Sequence, residues 1–398
     1  MRTFVLEPMI SNFFRSITLR HVIVATVIIP VVLLFTLWIL YRFYTPESFT
    51  DAPYTFEERD FAITGVDAAR LPGTIVEART VVGSQTVVDS QSNDMRPVAI
   101  LVADLQLDRN WNSKSLSFRS GARLARILAA YGGVTSYRFD NRGTGDHGGS
   151  VLTYNDINLK MADFVSVLRA ARETYPQRPV LILAHGTACA PVLKALQADR
   201  TESISIRAIY LLACGSVGNE LENRGEQIFH NMELRGVSRE NIRQARQEWK
   251  HWQAAGAVAD AVPEDAPETH PDIIAFRNGM RYYSAPEQSD YIQTMRNLNL
   301  TDLLRSHLRQ GIPITHFLGG KDMDLPTEVF HQTVASGTEL TAAYPGYKLH
   351  VIENMNHFLK EQHGVREGLP DLIMERMNPF RVIAPEFLRL LLESVGSD

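Results

Sequence analysis

The amino-acid sequence predicts an α/β fold with a mostly parallel sheet, and two observations indicate it. From residue 74 onward, short runs rich in β-branched residues alternate with longer amphipathic runs, which is the pattern of strands joined by crossover helices. One of the short runs, residues 180–184, is apolar throughout, as expected of a strand that is covered on both faces. We therefore expect a parallel sheet with helices on both faces.

Composition excludes several classes of function. The 398 residues are 45% hydrophobic and 21% charged, which is an ordinary globular mixture. The net charge is −5 and there is no basic stripe, so binding to nucleic acid is not expected. Two cysteines, with neither an HExxH motif nor a P-loop, exclude multi-cysteine zinc modules and the commonest zinc-protease and nucleotide-hydrolysis signatures. We accordingly expect no metal and no cofactor.

The N-terminus is predicted to anchor the chain in a membrane. Residues 22–40 carry no charge, and a helix of that length spans roughly the hydrocarbon thickness of a bilayer. The span is followed by Tyr41 and other large residues, whereas cleavage of a signal peptide requires small ones, so we expect the anchor to be retained. Because Arg2, Arg15 and Arg20 precede the span and acidic residues predominate after it, the N-terminus should be cytoplasmic and the main domain periplasmic or lumenal.

The predicted organisation has four parts: a cytoplasmic segment at residues 1–20, a transmembrane anchor at 21–44, a tether at 45–55 and a main domain at 56–398. Within the main domain we expect strands at residues 74–81, 98–103, 134–139, 180–184, 206–213, 314–318 and 348–352. We expect helices at residues 120–130, 159–175, 189–198, 327–334 and 385–392.

About a hundred residues separate the strand that ends near residue 213 from the strand that begins near 314. This insert has a helical pattern, and we predict that its part at about residues 216–300 forms a cap. The cap should lie at the carboxyl edge of the sheet, where open α/β sheets place their ligand crevice.

Gly143, Gly145 and Gly148 form one dinucleotide-type pattern, GxGxxG, just after a predicted strand. In a cofactor-binding loop the last glycine opens a helix, whereas here a polar stretch follows. The pattern therefore gives little support for a nucleotide cofactor.

Residues 180–193 form the most informative stretch, an apolar strand followed by a turn of small residues and a helix. This is the setting of a nucleophile elbow, in which small residues on both sides let the chain turn tightly and raise one side chain above the sheet. Ala184 and Ala188 occupy the two small positions. Gly186 stands at the position of the nucleophile.

With this elbow, the chain from Phe56 to the C-terminus resembles the α/β-hydrolase family, in particular its esterase and serine-peptidase-like branches. The similar segments occur in the family's order. They are Leu71-Pro72-Gly73-Thr74 for the opening strands, the stretch from Tyr137 to Gly145 for the D-x-R-G-x-G turn, the elbow, the loop from Gly319 to Pro326 for the catalytic acid, and Asn356-His357-Phe358 for the catalytic histidine.

The resemblance implies that Asp322 is the acid, His357 the base and position 186 the nucleophile. In the family's mechanism the carboxylate orients the imidazole, and the imidazole takes the proton of the attacking hydroxyl. Glycine has no hydroxyl, so the chain departs from the family at the atom that the covalent mechanism requires. A second departure lies at the oxyanion loop, where Asp104 and its neighbours replace the usual His-Gly pair and would oppose a developing negative charge.

Other residues near these motifs are weaker candidates. Thr187 is an improbable nucleophile because His185 and Cys189 would flank it where small residues are required. Cys189 has a position in which a lowered thiol pKa is physically possible, although a packing role is commoner. His185 is predicted to belong to the scaffold, and Asp324 is the reserve candidate for the acid. The Asp322–His357 pair itself has a purely structural alternative as a loop contact.

Two functions follow from this pattern. The leading hypothesis is a membrane-anchored member of the ester and amide hydrolase lineage whose serine-type catalysis is lost or severely reduced, with a pocket retained for a small acyl or peptide ligand. The alternative is an active hydrolase in which His357 and Asp322 activate water directly on an acyl substrate. A scaffolding role leaves no motif to recognise.

The two cysteines, Cys189 and Cys214, are expected to lie near each other, because the helix after the elbow runs beside the end of the neighbouring strand. In an oxidising compartment they could form a disulfide, provided that their Cα atoms lie within about 7 Å.

Overall fold

A computed structural model describes the chain at residues 28–44, 49, 51–82, 85–87, 95–113, 118–146, 156–198, 205–215, 218–265, 269–362 and 382–396. The chain divides into two units, residues 1–50 and residues 51–398. The predicted cytoplasmic segment at residues 1–20 and residues 45–48 and 50 of the predicted tether lie outside the described residues.

The first unit contains helix α1, Ile29–Tyr44. Among the described residues, no helix meets the combined length and hydropathy needed to cross a membrane. Helix α1 has 16 residues, and residues 22–27 of the predicted span lie outside the described part of the chain.

The second unit is built on a sheet in which β1 and β2 pair in antiparallel fashion and the strands from β4 to β9 pair in parallel. The strand order is β1-β2-β5-β4-β6-β7-β8-β9, and the short β3 pairs with β2. The strands are β1 Tyr54–Thr64, β2 Arg70–Val82, β3 Gln85–Val87, β4 Val98–Val102, β5 Thr135–Phe139, β6 Val180–His185, β7 Ile206–Leu212, β8 Ile314–Gly319 and β9 Tyr347–Ile352.

The prediction of a mostly parallel α/β sheet is confirmed, and each predicted strand is present within a few residues of its expected bounds. Two strands were not predicted, β1 and β3. Strand β1 lies at the edge of the sheet and most of its residues are exposed. Its charged run Glu57 to Asp60 lacks the hydrophobic alternation that indicates a half-buried strand. It begins at Tyr54, inside the segment predicted as a tether.

Helices cover both faces of the sheet. One apolar core packs helices α3 and α4 against the sheet, and a second packs α2 and α11 against the opposite face. The helices of the second unit are α2 Ser120–Gly132, α3 Ile157–Thr174, α4 Cys189–Ala198, α5 Glu220–Leu234, α6 Arg239–Ala254, α7 Pro271–Tyr283, α8 Ser289–Asn297, α9 Leu300–Arg309, α10 Thr327–Ala343 and α11 Pro385–Gly396.

Helix α10 is longer than predicted, because it continues through Gly337 in the middle of a run of small residues. A Cβ at Gly337 would approach the Leu349 side chain at 2.7 Å. The glycine therefore lets α10 lie close to β9, a packing reason that hydrophobic periodicity does not reveal.

The insert between β7 and β8 begins with the four helices α5 to α8, which we call the cap. Its entry and exit are tied together, because the backbone N–H of Glu220 donates to the carbonyl of Leu298 at 2.9 Å. Helix α9 follows the cap and packs against α4, where His307 Nε2 lies 2.8 Å from the Leu193 carbonyl oxygen.

The turn after β5 contains two of the three glycines of the GxGxxG pattern, and the third, Gly148, lies outside the described residues. Gly143 and Gly145 have positive φ angles of 73° and 50°. A Cβ at Gly145 would overlap the Asp140 carboxylate, so this glycine is needed for a turn that wraps round an aspartate. In the same turn, the buried Arg142 binds the carboxylates of Asp67 and Asp163.

Candidate active site

The carboxyl ends of four parallel strands bring the candidate residues together. Asp104 follows β4, Gly186 follows β6, Asp322 follows β8 and His357 follows β9. Because these strands are parallel, with β4 beside β6, β8 beside β9 and β7 between the two pairs, the loops meet at one edge of the sheet, which is the usual place for a ligand site in an open α/β fold.

The predicted elbow has the expected geometry. Strand β6 ends at His185, a single 3₁₀ turn spans Gly186–Ala188, and α4 begins at Cys189. Gly186 has a φ of +57°, a left-handed conformation that disfavours residues with a Cβ. The position that the family reserves for a nucleophile therefore has the strained turn without the side chain.

Asp322 and His357 are hydrogen-bonded, with Nδ1 of the imidazole 2.9 Å from Oδ2 of the carboxylate. The second oxygen, Oδ1, accepts from the backbone N–H groups of Asp324 and Leu325 at 2.9 and 3.0 Å. The Asp322 side chain is fully buried. Asp324, the reserve acid, thus supports Asp322 through its backbone N–H.

Burial disfavours the charged form of His357, but the carboxylates of Asp322 and Asp104 outweigh it and raise the pKa of this imidazole. The pair therefore has the tautomer and the electrostatics that a general base requires.

Asp104 occupies the space beside the elbow. Its Oδ2 accepts from the backbone N–H of Thr187 at 2.9 Å and from the Thr187 hydroxyl at 3.0 Å, while Oδ1 accepts from the N–H of Gln106 at 3.1 Å. A Cβ placed on Gly186 would overlap Oδ2 of Asp104. A side chain at position 186 and the Asp104 carboxylate in its present position therefore cannot both occupy this space.

The charge of Asp104 is stabilised where it lies. Burial acts to raise the pKa of this carboxyl group, but the imidazoles of His185 and His357 and the N–H groups of Thr187 and Gln106 lower it overall. In the elbow geometry, the N–H of the residue after the nucleophile is an oxyanion donor, and here that residue is Thr187. The N–H of Thr187 that would stabilise an oxyanion is therefore already bound to the Asp104 carboxylate.

His185 is fully buried beneath the site. Its ring stacks on Trp111 with centroids 4.4 Å apart, and its Nε2 lies 2.7 Å from the carbonyl oxygen of His357. Burial and the neighbouring His357 lower the pKa of His185 to about 4, so the ring is neutral at physiological pH. The predicted scaffold role of His185 is consistent with these contacts.

A cavity of about 120 Å³ opens above these residues, between the strand ends and the cap. Its lining combines apolar side chains such as Met295, Leu300 and Leu325 with basic side chains from Lys160 and Arg224. Arg224 donates to the hydroxyl of Tyr283 at 3.2 and 3.1 Å. A cavity of this size holds a small organic molecule, since a single water needs only about 10–15 Å³ on the same measure.

Burial moves the pKa values of two cavity residues toward pH 7. Burial raises the pKa of Glu220 to about 7, although the Asn223 amide opposes the shift. Burial lowers the pKa of Lys160 to about 8, against the attraction of Asp104 and Asp163, and Lys160 Nζ donates to the Leu105 carbonyl at 2.5 Å.

Sequence reasoning did not identify Lys160, Glu220 or Arg224. Lys160 lies within an amphipathic helix, and the spacing of Glu220 and Arg224 is also that of an ordinary surface pair on a helix. No local signal distinguishes them from solvated charges.

Cys189 and Cys214 form a disulfide, with Cα atoms 6.3 Å apart and a separation of 25 positions in sequence. The bridge ties the first turn of α4 to the end of β7. It also removes Cys189 from consideration as a nucleophile while the bridge is intact.

The fold and the site define a class of protein, one with an open α/β sheet, an elbow after a central strand and an Asp–His pair on the two strands that follow the insert. Residues 109–363 match the family described as the alpha/beta hydrolase family. The chain belongs to the α/β-hydrolase family, as the sequence motifs predict.

Solved structures of similar fold include an esterase of Pyrococcus furiosus, with 14% identity over 85% of this chain and 90% of that one and a TM-score of 0.46. A thermostable carboxyl esterase from Bacillus coagulans has 12% identity over 86% of this chain and 100% of that one, with a TM-score of 0.44. A proline iminopeptidase of Mycobacterium smegmatis has 13% identity over 85% and 97%, with a TM-score of 0.43. No curated protein matches the sequence.

Proposed function

We propose that this protein is a hydrolase-fold protein of the ester and amide lineage in which serine-type catalysis is lost or severely reduced, and in which the cavity is retained to bind a small acyl or peptide ligand. The observation that carries the proposal is the Asp104 carboxylate, which is bound to the Thr187 N–H at 2.9 Å. The site therefore lacks a hydroxyl at Gly186 and has a resident anion on an oxyanion donor.

These two changes act on different steps. Without a hydroxyl no acyl-enzyme can form. With a carboxylate on the donor, a second negative charge developing nearby is repelled instead of stabilised. Either change alone would impair the covalent mechanism, and together they leave the Asp322–His357 pair without a nucleophile to activate.

The Asp322–His357 hydrogen bond, at 2.9 Å, favours one second candidate function. His357 would take a proton from water, and the resulting hydroxide would attack an acyl carbon directly. This route needs no side chain at position 186, but it still has to overcome the negative charge of Asp104.

We expect a fluorophosphonate probe to leave the unmodified protein unlabelled, because covalent capture requires an activated hydroxyl. Hydrolysis of short-chain and long-chain aryl esters by the full-length protein should equal that of a His357→Ala variant. Labelling at Thr187 would contradict the proposal. Ester hydrolysis that disappears in His357→Ala without any labelling would establish the water-activating alternative instead.

We further propose that residues 21–44 anchor the protein in a membrane with the second unit in the periplasm or lumen. The uncharged run at 22–40 and the arginines before it support this topology, and the Cys189–Cys214 disulfide is typical of an oxidising compartment. Protease added to the outer face of intact membranes should digest the region after residue 45. Protection of that region together with an active cytoplasmic reporter at the C-terminus would reverse the topology.

A further inference from the structure

We propose that Asp104, His185 and His357 form a binding site for a divalent metal ion of the zinc type, beside the elbow where the family places its nucleophile. One carboxylate oxygen and one nitrogen of each imidazole lie within 4.8 Å of one another. Two imidazoles and a carboxylate are a recurrent ligand set for zinc and for similar transition metals.

The separation of these atoms is compatible with such an ion after a modest side-chain movement. Ligands about 2.0–2.1 Å from a tetrahedral zinc lie roughly 3.3 Å apart, so the three side chains need to close by about 1.5 Å at most. Asp104 and His357 both lie in loops beyond the ends of their strands, where a change of rotamer does not disturb the sheet.

Both imidazoles already have the outer hydrogen bonds that metal-binding histidines need. Nδ1 of His357 is held by Asp322, which leaves Nε2 for an ion. Nε2 of His185 donates to the His357 carbonyl, which leaves Nδ1 unprotonated, and this buried nitrogen has no hydrogen-bond partner among the described residues. A carboxylate or a backbone carbonyl on the far nitrogen is the usual support for a metal-binding histidine.

The site depends on both departures from the family pattern, Gly186 at the nucleophile position and Asp104 in the oxyanion loop. A Cβ at position 186 would overlap the Asp104 carboxylate, so glycine at the elbow is what allows that carboxylate to lie beside the imidazoles. The backbone N–H groups of Thr187 and Gln106 donate to the Asp104 carboxylate, and hydrogen bonds of this kind favour the ionised form, which is the form that binds a metal.

The charges around the cluster also favour a cation. Carboxylates of Asp104, Asp322 and Asp324 surround His357, whereas the basic side chains on the cavity wall are Lys160 and Arg224. The site thus has an excess of negative charge before an ion binds.

The test is titration of the metal-free, purified full-length protein with Zn²⁺ by calorimetry and with Co²⁺ by visible absorption, where a tetrahedral cobalt site gives an intense band. We expect one ion per chain. Asp104→Asn keeps the shape of the side chain and His185→Gln keeps a polar group, and each should weaken binding on the order of 100-fold or more, since even loss of an outer hydrogen bond costs 10- to 100-fold. Circular dichroism will establish that each variant is folded.

Asp324→Asn is the matched control, because Asp324 belongs to a second group of ligand atoms, with Asp322 and His357, that also lie within 4.8 Å of one another. This variant loses one nearby charge but none of the three proposed ligands, so it should weaken binding far less than Asp104→Asn or His185→Gln does. The proposal is overturned if no stoichiometric binding is found, if Asp104→Asn binds normally, or if Asp324→Asn abolishes binding. None of these results depends on hydrolysis, so the proposed loss of serine-type catalysis is tested separately.

Discussion

Gly186→Ser alone is expected to remain inactive, whereas Gly186→Ser combined with Asp104→Gly should gain both fluorophosphonate labelling and aryl-ester hydrolysis. The single variant places a serine Cβ against Oδ2 of Asp104 and leaves the Thr187 N–H bound to a carboxylate. Removing Asp104 relieves the overlap and frees that donor. Because one oxyanion donor contributes on the order of 10²–10³ in kcat, the double variant should exceed the single one by at least about 100-fold.

Two further variants control this experiment. Asp104→Gly without the serine should stay unlabelled, since no hydroxyl is added. His357→Ala in the double variant should abolish the gained activity, because the serine would lose its base. If Gly186→Ser alone were labelled as fast as the double variant, Asp104 would not block the site, and the loss of function would lie at position 186 only.

Reduction of the Cys189–Cys214 disulfide should lower the free energy of unfolding by about 3 to 4 kcal/mol, the chain-entropy value for a closed loop of this length. The bridge spans 25 residues and joins the start of α4 to the end of β7. Denaturant unfolding with and without reductant will measure the difference. Thiol titration of the unfolded protein before reduction should detect no free thiol among the two cysteines.

The matched control is the Cys189→Ala/Cys214→Ala double variant. Its stability should resemble that of the reduced protein and should not respond to reductant. Two titratable thiols in the unreduced protein, or equal stability with and without reductant, would show that the bridge is absent from the protein in solution.

The sequence is sufficient for the core of the fold because central parallel strands such as β4 and β6 are buried apolar runs. Strand β6, for example, is buried at every residue, and its sequence is apolar because no residue before His185 faces water. Strand β1 has the opposite character, since its charged residues face solvent along the edge of the sheet. Its pairing with β2 depends on backbone hydrogen bonds, which leave no trace in hydropathy.

The site was predictable where it follows family motifs and unpredictable where it depends on distant residues. Gly186, Asp322 and His357 lie in recognisable segments, and the structure brings the last two into contact. The bond from Thr187 to Asp104 joins residues 83 positions apart. The expectation of no metal rested on short motifs, and the grouping of Asp104 with His185 and His357 comes from the order of strands in the sheet, not from any spacing in the sequence.

The hydrogen bond between Glu220 and Leu298, at 2.9 Å, makes the cap an exchangeable module. Its first and last residues are neighbours, so a different helical segment, or a short linker, can connect them without altering the register of β7 and β8. Replacement of this one continuous stretch of coding sequence can consequently change the side chains that the cap contributes to the cavity. The residues at the strand ends, on the other side of the cavity, would stay the same.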